Sequence, residues 1–380
     1  MDTRHPPSSP PSSAAAASPH YVIFDLLRGL AALTVLVFHM SYMLGPSAPA
    51  VPKGYLAVDF FFILSGFVIA ANYHPDVRPA IGWRDFLVAR LARLWPLLVA
   101  ATLLGAVVII AKYTRDLGYF DAAGTLRSLG ANLLMLPSFF APYGVDRLFL
   151  FNGASWSVFF EVLVNLLFFA ALRGLPLRAL LALSAVFAGL LIFFARANGS
   201  LDGGWSAATF HVGSLRVLFG FTAGMAIFLI SRRLSVRLGG WVTAALVVAF
   251  CLSFMVDGDW RVDCALVIAG FPAIVLLGAQ CEQRGWAGAP ERCGRFLGDV
   301  SYSVYLLQTP AMLFTAGACE WLTGRKIAEF APFSGVLFIA ALFGVSYLSW
   351  RYFELPARNL LRRRLAARPR PSYAVREEVA

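Results

Sequence analysis

Apolar runs of close to twenty residues alternate along the chain with short polar segments. A run of that length, wound as a helix, spans the roughly 30 Å hydrocarbon core of a bilayer. The pattern predicts helices near residues 22–43, 56–73, 94–112, 155–172, 177–195, 212–231, 240–256, 262–280, 299–319 and 334–353. The expected fold is therefore an all-α integral membrane protein, a bundle of about ten transmembrane helices. Residues 1–20 are rich in Pro, Ser and Ala, the composition of a disordered tail. A long polar lead before a first run of spanning length predicts an uncleaved helix, not a secretory signal. The helical block is expected over 21–356, with 357–380 as a basic tail.

Composition narrows the class. The chain is 59% hydrophobic with mean hydropathy +0.70, too apolar for a soluble domain of 380 residues. Its net charge of +11 comes from 32 Lys and Arg against 21 Asp and Glu. Those bases sit between apolar spans rather than on one soluble face, which excludes nucleic acid as a partner and reports topology instead. Segments on the N-terminal side of the expected bundle hold twenty Lys and Arg, and the opposite set holds nine. That asymmetry predicts a multi-pass protein of the inner (plasma) membrane with both termini cytoplasmic. The arginines after residue 357 (Arg358, Arg362, Arg363, Arg364, Arg368 and Arg370) read as an anchor on anionic lipid. Five cysteines at 251, 264, 281, 293 and 319 form no CxxC or Cys/His pattern, so neither a disulfide framework nor a metal site is expected.

Ionisable residues inside these runs carry the candidate chemistry. Such groups are costly in lipid and turn toward a bundle interior or a wet cavity. In FDLLRGLAALTVLVFHM, Arg28 and His39 are eleven residues apart, close to three helical turns. They share one face, roughly 16 Å apart along the axis, and Asp25 lies three residues before Arg28, within reach to orient it. Asp59 opens the second helix and either caps it or faces the interior. Ser65-Gly66-Phe67 follows, a triplet suited to close helix packing. Arg90 and Arg93, at i and i+3, either anchor topology or form a planar-fork clamp for phosphates. Ser155-Trp156-Ser157 opens the fourth helix, with Trp156 suited to the interfacial belt. Glu161 is expected near the depth of His39, as its supporting carboxylate or as a salt-bridge partner, with Arg216 a further partner. Tyr302-Ser303-Val304-Tyr305 continues to Gln308, and Glu354-Leu355-Pro356 reads as a helix stop.

Taken as an ordered set, these motifs resemble acyltransferase family three, the integral-membrane acyltransferases of the surface-polysaccharide O-acetylase type. The resemblance rests on Asp25-x-x-Arg28-Gly29, Arg28-x10-His39, Asp59 with Ser65-Gly66-Phe67, Arg90-x-x-Arg93, Trp156-Ser157 with Glu161, Tyr302-Ser303-x-Tyr305 and Glu354-x-Pro356. It departs at Gln308, where members of the family often carry His. It implies an acyl-CoA donor, acetyl-CoA most commonly, on the cytoplasmic side. The implied acceptor is a hydroxyl of a glycan, lipid-linked sugar or small molecule at the outer side. His39 is expected as general base, with Glu161 or Asp59 in support and Arg28, Arg90 and Arg93 holding the CoA phosphates. With no serine nucleophile elbow in the sequence, direct transfer is preferred to an acyl-enzyme. The competing expectation is a secondary transporter that couples protons through His39, Glu161 and Arg216, and it calls for inverted-repeat symmetry that the sequence lacks.

Overall fold

The computed structural model describes residues 21–45, 50–140, 142–234, 236, 238–281 and 288–365. The 1–20 tail and the end of the basic tail, 366–380, lie outside the described residues. All regular elements among those described are helical. They are α1 (Val22–Leu44), α2 (Ala57–Tyr73), α3 (Trp83–Leu117), α4 (Ala122–Leu133), α5 (Ser155–Leu167), α6 (Leu177–Asn198) and α7 (Phe210–Ser231). After them come α8 (Gly240–Ser253), α9 (Trp260–Ala265), α10 (Phe271–Cys281), α11 (Ala289–Thr323), α12 (Phe333–Ser349) and α13 (Leu355–Leu365). Single π turns join α9 to α10 and α12 to α13, and another extends α5 to Leu172. Each of the ten apolar runs becomes one rod, and eight rods are long and apolar enough to cross a membrane. The protein is an all-α integral membrane protein of the multi-pass type.

Three boundaries depart from the expected ones, two of them for the same reason. The 35-residue helices α3 and α11 are each about 52 Å long at 1.5 Å per residue, well beyond the thickness of the hydrocarbon core. Only their apolar middles announce a span, while their amphipathic ends extend past it. Arg90 and Arg93 therefore sit within a helix and not at its start. The third departure is at Glu354-Leu355-Pro356, expected as a stop. Proline lacks the N–H of an i→i−4 bond, and the π turn at Trp350–Glu354 absorbs that defect, so the rod continues to Leu365 as α13. The connection between the expected helices 94–112 and 155–172 also contains an amphipathic helix, α4, whose start is capped by Asp121 accepting from the Gly124 N–H at 2.8 Å.

The bundle is organised around two close helix pairs. Along α2 and α7 the backbones touch: a Cβ on Gly66 would lie 2.2 Å from the Phe221 carbonyl oxygen, and one on Gly224 would lie 2.0 Å from that of Ile63. Along α1 and α11, a Cβ on Gly29 would meet Leu297 Cβ at 2.4 Å. Small residues permit this approach, and packing at that distance replaces the hydrophobic drive that lipid does not supply between helices. The consequence is a centre and a rim. The apolar windows of α2 and α7 are 78% and 72% buried, whereas that of α6 is only 17% buried and presents its side chains to lipid.

Tyr21 at the start of α1 and Arg358 on α13 line the same opening. That face of the bundle, which also receives the end of α2 and the start of α3, is termed the terminal face below. On the opposite face a buried polar knot ties the connections together. Lys53 Nζ pairs with Asp263 Oδ1 at 2.7 Å and donates to the Gly258 carbonyl at 2.6 Å. The Tyr55 hydroxyl and the Leu201 N–H donate to Asp263 Oδ2 at 2.5 and 2.9 Å.

Candidate active site

Two connected cavities run into the bundle from the terminal face. The outer one, a vestibule of about 510 Å³, is lined by Asp25, Arg28, Asn72, Arg93, Glu354 and Arg358, among others. The inner one, a chamber of about 100 Å³, is walled by Arg28, Ser65, Arg90, Arg93, Ser157, Glu161 and Tyr305 with apolar residues of α2. Arg28, Val68, Arg93 and Tyr302 line both, so they form the neck between vestibule and chamber. Most of the residues singled out in the sequence converge here from α1, α2, α3, α5 and α11.

The four arginines at this site are not equivalent. Arg28 is committed to the protein on one edge. Its Nη2 pairs with Asp25 Oδ1 at 3.0 Å and donates to the Gly298 carbonyl at 2.8 Å, while Nε donates to Ser301 Oγ at 3.1 Å. Asp25 thus orients Arg28 as the i, i+3 spacing suggests. Arg90 Nη2 donates to Glu161 Oε1 at 2.5 Å, and its Nε is buried without a partner. Arg93 has no ion pair or hydrogen bond among the described residues, yet it lines both cavities. Arg358 likewise has no ion pair there, and its Nε is buried and unpartnered. A planar guanidinium without a carboxylate is an open site for an oxyanion.

Several expected roles are corrected by this geometry. Glu161 does not support His39: it holds Arg90, with Ser65 Oγ at 3.5 Å as its other partner. Asp59 does not face His39 either. It is fully buried and receives two hydrogen bonds from Arg216, at 2.9 and 2.6 Å. Arg216 is completed by the carbonyls of Gly203 and Tyr55 at 2.8 and 3.1 Å. Trp156 is buried against that guanidinium, 5.2 Å from its ring centroid, and is not an interfacial belt residue. Gly66 packs against α7 and lines neither cavity. Ser303 is buried on Glu354, which accepts its hydroxyl proton. Tyr302 faces the neck with its hydroxyl on the Leu94 carbonyl at 2.5 Å. The three residues of the transporter expectation sit apart: Glu161 on Arg90, Arg216 on Asp59, and His39 elsewhere.

His39 lies beyond the chamber's far end. The Ser157 and Tyr305 hydroxyls meet at 2.7 Å at that end, and Tyr305 packs on Phe61 with ring centroids 5.7 Å apart. One helical turn further, Gln308 donates from Nε2 to the Tyr305 carbonyl at 2.9 Å and lies beside the imidazole. His39 Nδ1 and Gln308 Oε1 are both buried without a hydrogen-bond partner. The charged groups nearest the imidazole are Asp202 and Arg147, exposed residues of the opposite-face connections. His39 lines neither cavity and lies toward that opposite side. Sequence reasoning missed Arg358 and the neighbour role of Gln308. The first was hidden by reading Pro356 as a stop, and the second had only its i+3 spacing from Tyr305 as a signal.

A helical bundle with an internal vestibule lined by three arginines and three carboxylates defines a multi-pass membrane protein with an internal polar site. A family model described as an acyltransferase domain matches residues 21–351, and the chain belongs to that family of acyltransferases. Among curated proteins it is similar to "Protein 2 in picA locus" of Rhizobium radiobacter, 38% identical over 154 residues, covering 38% of this chain and 78% of that one. It is also similar to the "Putative peptidoglycan O-acetyltransferase YrhL" of Bacillus subtilis (strain 168), 24% identical over 374 residues and 88% of this chain. The chain spans about half of that relative's length, 54%. No solved structure matches.

Proposed function

We propose that the protein is a membrane O-acyltransferase that moves an acyl group, acetyl in the simplest case, from acyl-CoA to a hydroxyl of a sugar or glycan-type acceptor. The donor enters from the terminal face, taken as cytoplasmic from the charge asymmetry, and the acceptor from the opposite face of the inner membrane. The observation that carries this reading is that Arg93 and Arg358, which have no ion pair among the described residues, line a vestibule that adjoins an inner chamber. CoA bears its phosphates at one end of a long flexible arm. Phosphates held in the vestibule direct the thioester through the neck toward the Ser157–Tyr305 contact. The name of the Bacillus relative supports an O-acetyl transfer to a glycan.

His39 acts as general base in this scheme. It takes the acceptor's hydroxyl proton as that oxygen attacks the thioester carbonyl, and the carbon–sulfur bond breaks to release CoA thiolate. In this scheme the Ser157–Tyr305 contact at the chamber wall opens to admit the thioester toward His39. The test uses purified protein in nanodiscs, acetyl-labelled acetyl-CoA and a panel of oligosaccharide acceptors. Label on an acceptor hydroxyl is the expected result. Proton-driven substrate flux without acetyl-CoA consumption would replace the enzyme reading with a transporter.

A further inference from the structure

We infer that Arg358, on the helix beyond the π turn, is a donor-specificity residue that recognises a terminal phosphomonoester, the 3′-phosphate of CoA. This rests on the acyl-CoA reading above and adds to it which part of the donor α13 selects.

Arg358 lacks an ion-pair partner among the described residues. Glu354 and Arg358 are at i and i+4 on one helical rod, a spacing at which opposite charges ordinarily meet. Here they form no ion pair among the described residues, and Glu354 Oε1 instead accepts the hydroxyl hydrogen of Ser303 on α11. The Arg358 guanidinium is left lining the vestibule with Nε buried and unpartnered. The charges around it are two cations, Arg362 one turn on and Arg93 across the opening on α3, and two carboxylates, Glu354 and Asp299, neither of which pairs with it. Like charges at i and i+4 are mildly unfavourable by themselves. A dianion between them removes that repulsion. A phosphomonoester carries a charge of nearly −2 at neutral pH, with its second pKa near 6, whereas each phosphate of a diphosphate linkage carries only one. Arg358 with Arg362 therefore suits the phosphomonoester, and Arg93 at the neck suits the diphosphate.

The test compares acetyl-CoA with acetyl-3′-dephospho-CoA as donors for the wild type, Arg358→Gln and Arg358→Lys in nanodiscs of neutral lipid and of lipid containing a third anionic phospholipid. Wild type is expected to prefer acetyl-CoA in KM, on the order of tenfold for one charge-assisted guanidinium contact. In Arg358→Gln that preference should vanish: KM for acetyl-CoA rises, KM for the dephospho donor and kcat stay put. Arg358→Lys should fall between. Equal KM changes for both donors, or none, would overturn the assignment. So would an effect that appears only with anionic lipid and is the same for both donors, since it would give Arg358 to a lipid headgroup. A wild type that turns over neither donor would instead remove the acyl-CoA reading, and the assignment with it.

Discussion

Arg90 and Arg93 share a motif but should respond oppositely to mutation, because only one of them has a partner. Arg93→Ala removes no ion pair and no hydrogen bond among the described residues. Its expected effect is on ligand alone: one lost charge-assisted contact of about 1.5–3 kcal/mol, a ten- to hundredfold weaker CoA affinity. Arg90→Ala strands Glu161, whose side chain is 25% exposed to the chamber and would keep only Ser65 at 3.5 Å. Breaking a fully buried pair costs about 3–5 kcal/mol. Partial exposure of Glu161 reduces that to about 1–3 kcal/mol. Arg90→Ala should therefore lower thermal stability, and Glu161→Gln in the same chain should recover much of the loss, since a neutral amide tolerates the site. The assay is a double-mutant cycle of thermal unfolding in nanodiscs, read beside CoA binding by calorimetry. The reasoning is refuted if Arg93→Ala destabilises as much as Arg90→Ala, or if Glu161→Gln fails to rescue it.

Other predictions concern the frame around the site. Asp59→Ala leaves Arg216 buried and uncompensated and should cost about 3–5 kcal/mol in thermal stability, with Asp59→Asn milder. A catalytic loss in a fully stable Asp59→Ala would contradict its structural role. Gly224→Val places a side chain into the Ile63 carbonyl and should abolish a monodisperse elution peak in detergent, whereas Gly189→Val, a position with open space around its Cβ, should not. Tyr305→Phe removes the hydroxyl from the Ser157 contact. It is expected to shift unfolding by no more than about 1 kcal/mol while changing kcat without changing CoA affinity, and an altered CoA affinity alone would place Tyr305 in donor binding.

Which features were readable from the sequence follows from the range of the forces involved. Spanning a membrane requires contiguous apolar residues whose backbone groups bond within the segment, so each of the ten rods is written locally. The Asp25–Arg28 pair is equally local, three residues apart on one turn. Glu161 was harder: its inward-facing position was legible, but the partner is Arg90, 71 residues away in sequence, and nothing in either helix distinguishes that pairing from one with His39. Asp59 and Arg216 are 157 residues apart, and their union depends on the glycine-mediated approach of α2 to α7. Arg358 was concealed by a rule that is usually right, since proline commonly ends a helix, and only the π turn before it lets the rod continue. The extra length of α3 and α11 was not legible because hydropathy registers the span and is silent about amphipathic turns beyond it.

The general-base assignment of His39 is the claim on which the scheme depends. Its most direct test is single-turnover acetyl transfer by His39→Ala and His39→Gln, measured beside CoA binding and thermal stability in the same nanodiscs. Loss of a positioned general base should slow transfer by about 10²–10⁴-fold, with CoA affinity and unfolding temperature unchanged. Transfer at the wild-type rate by either folded variant would contradict the account.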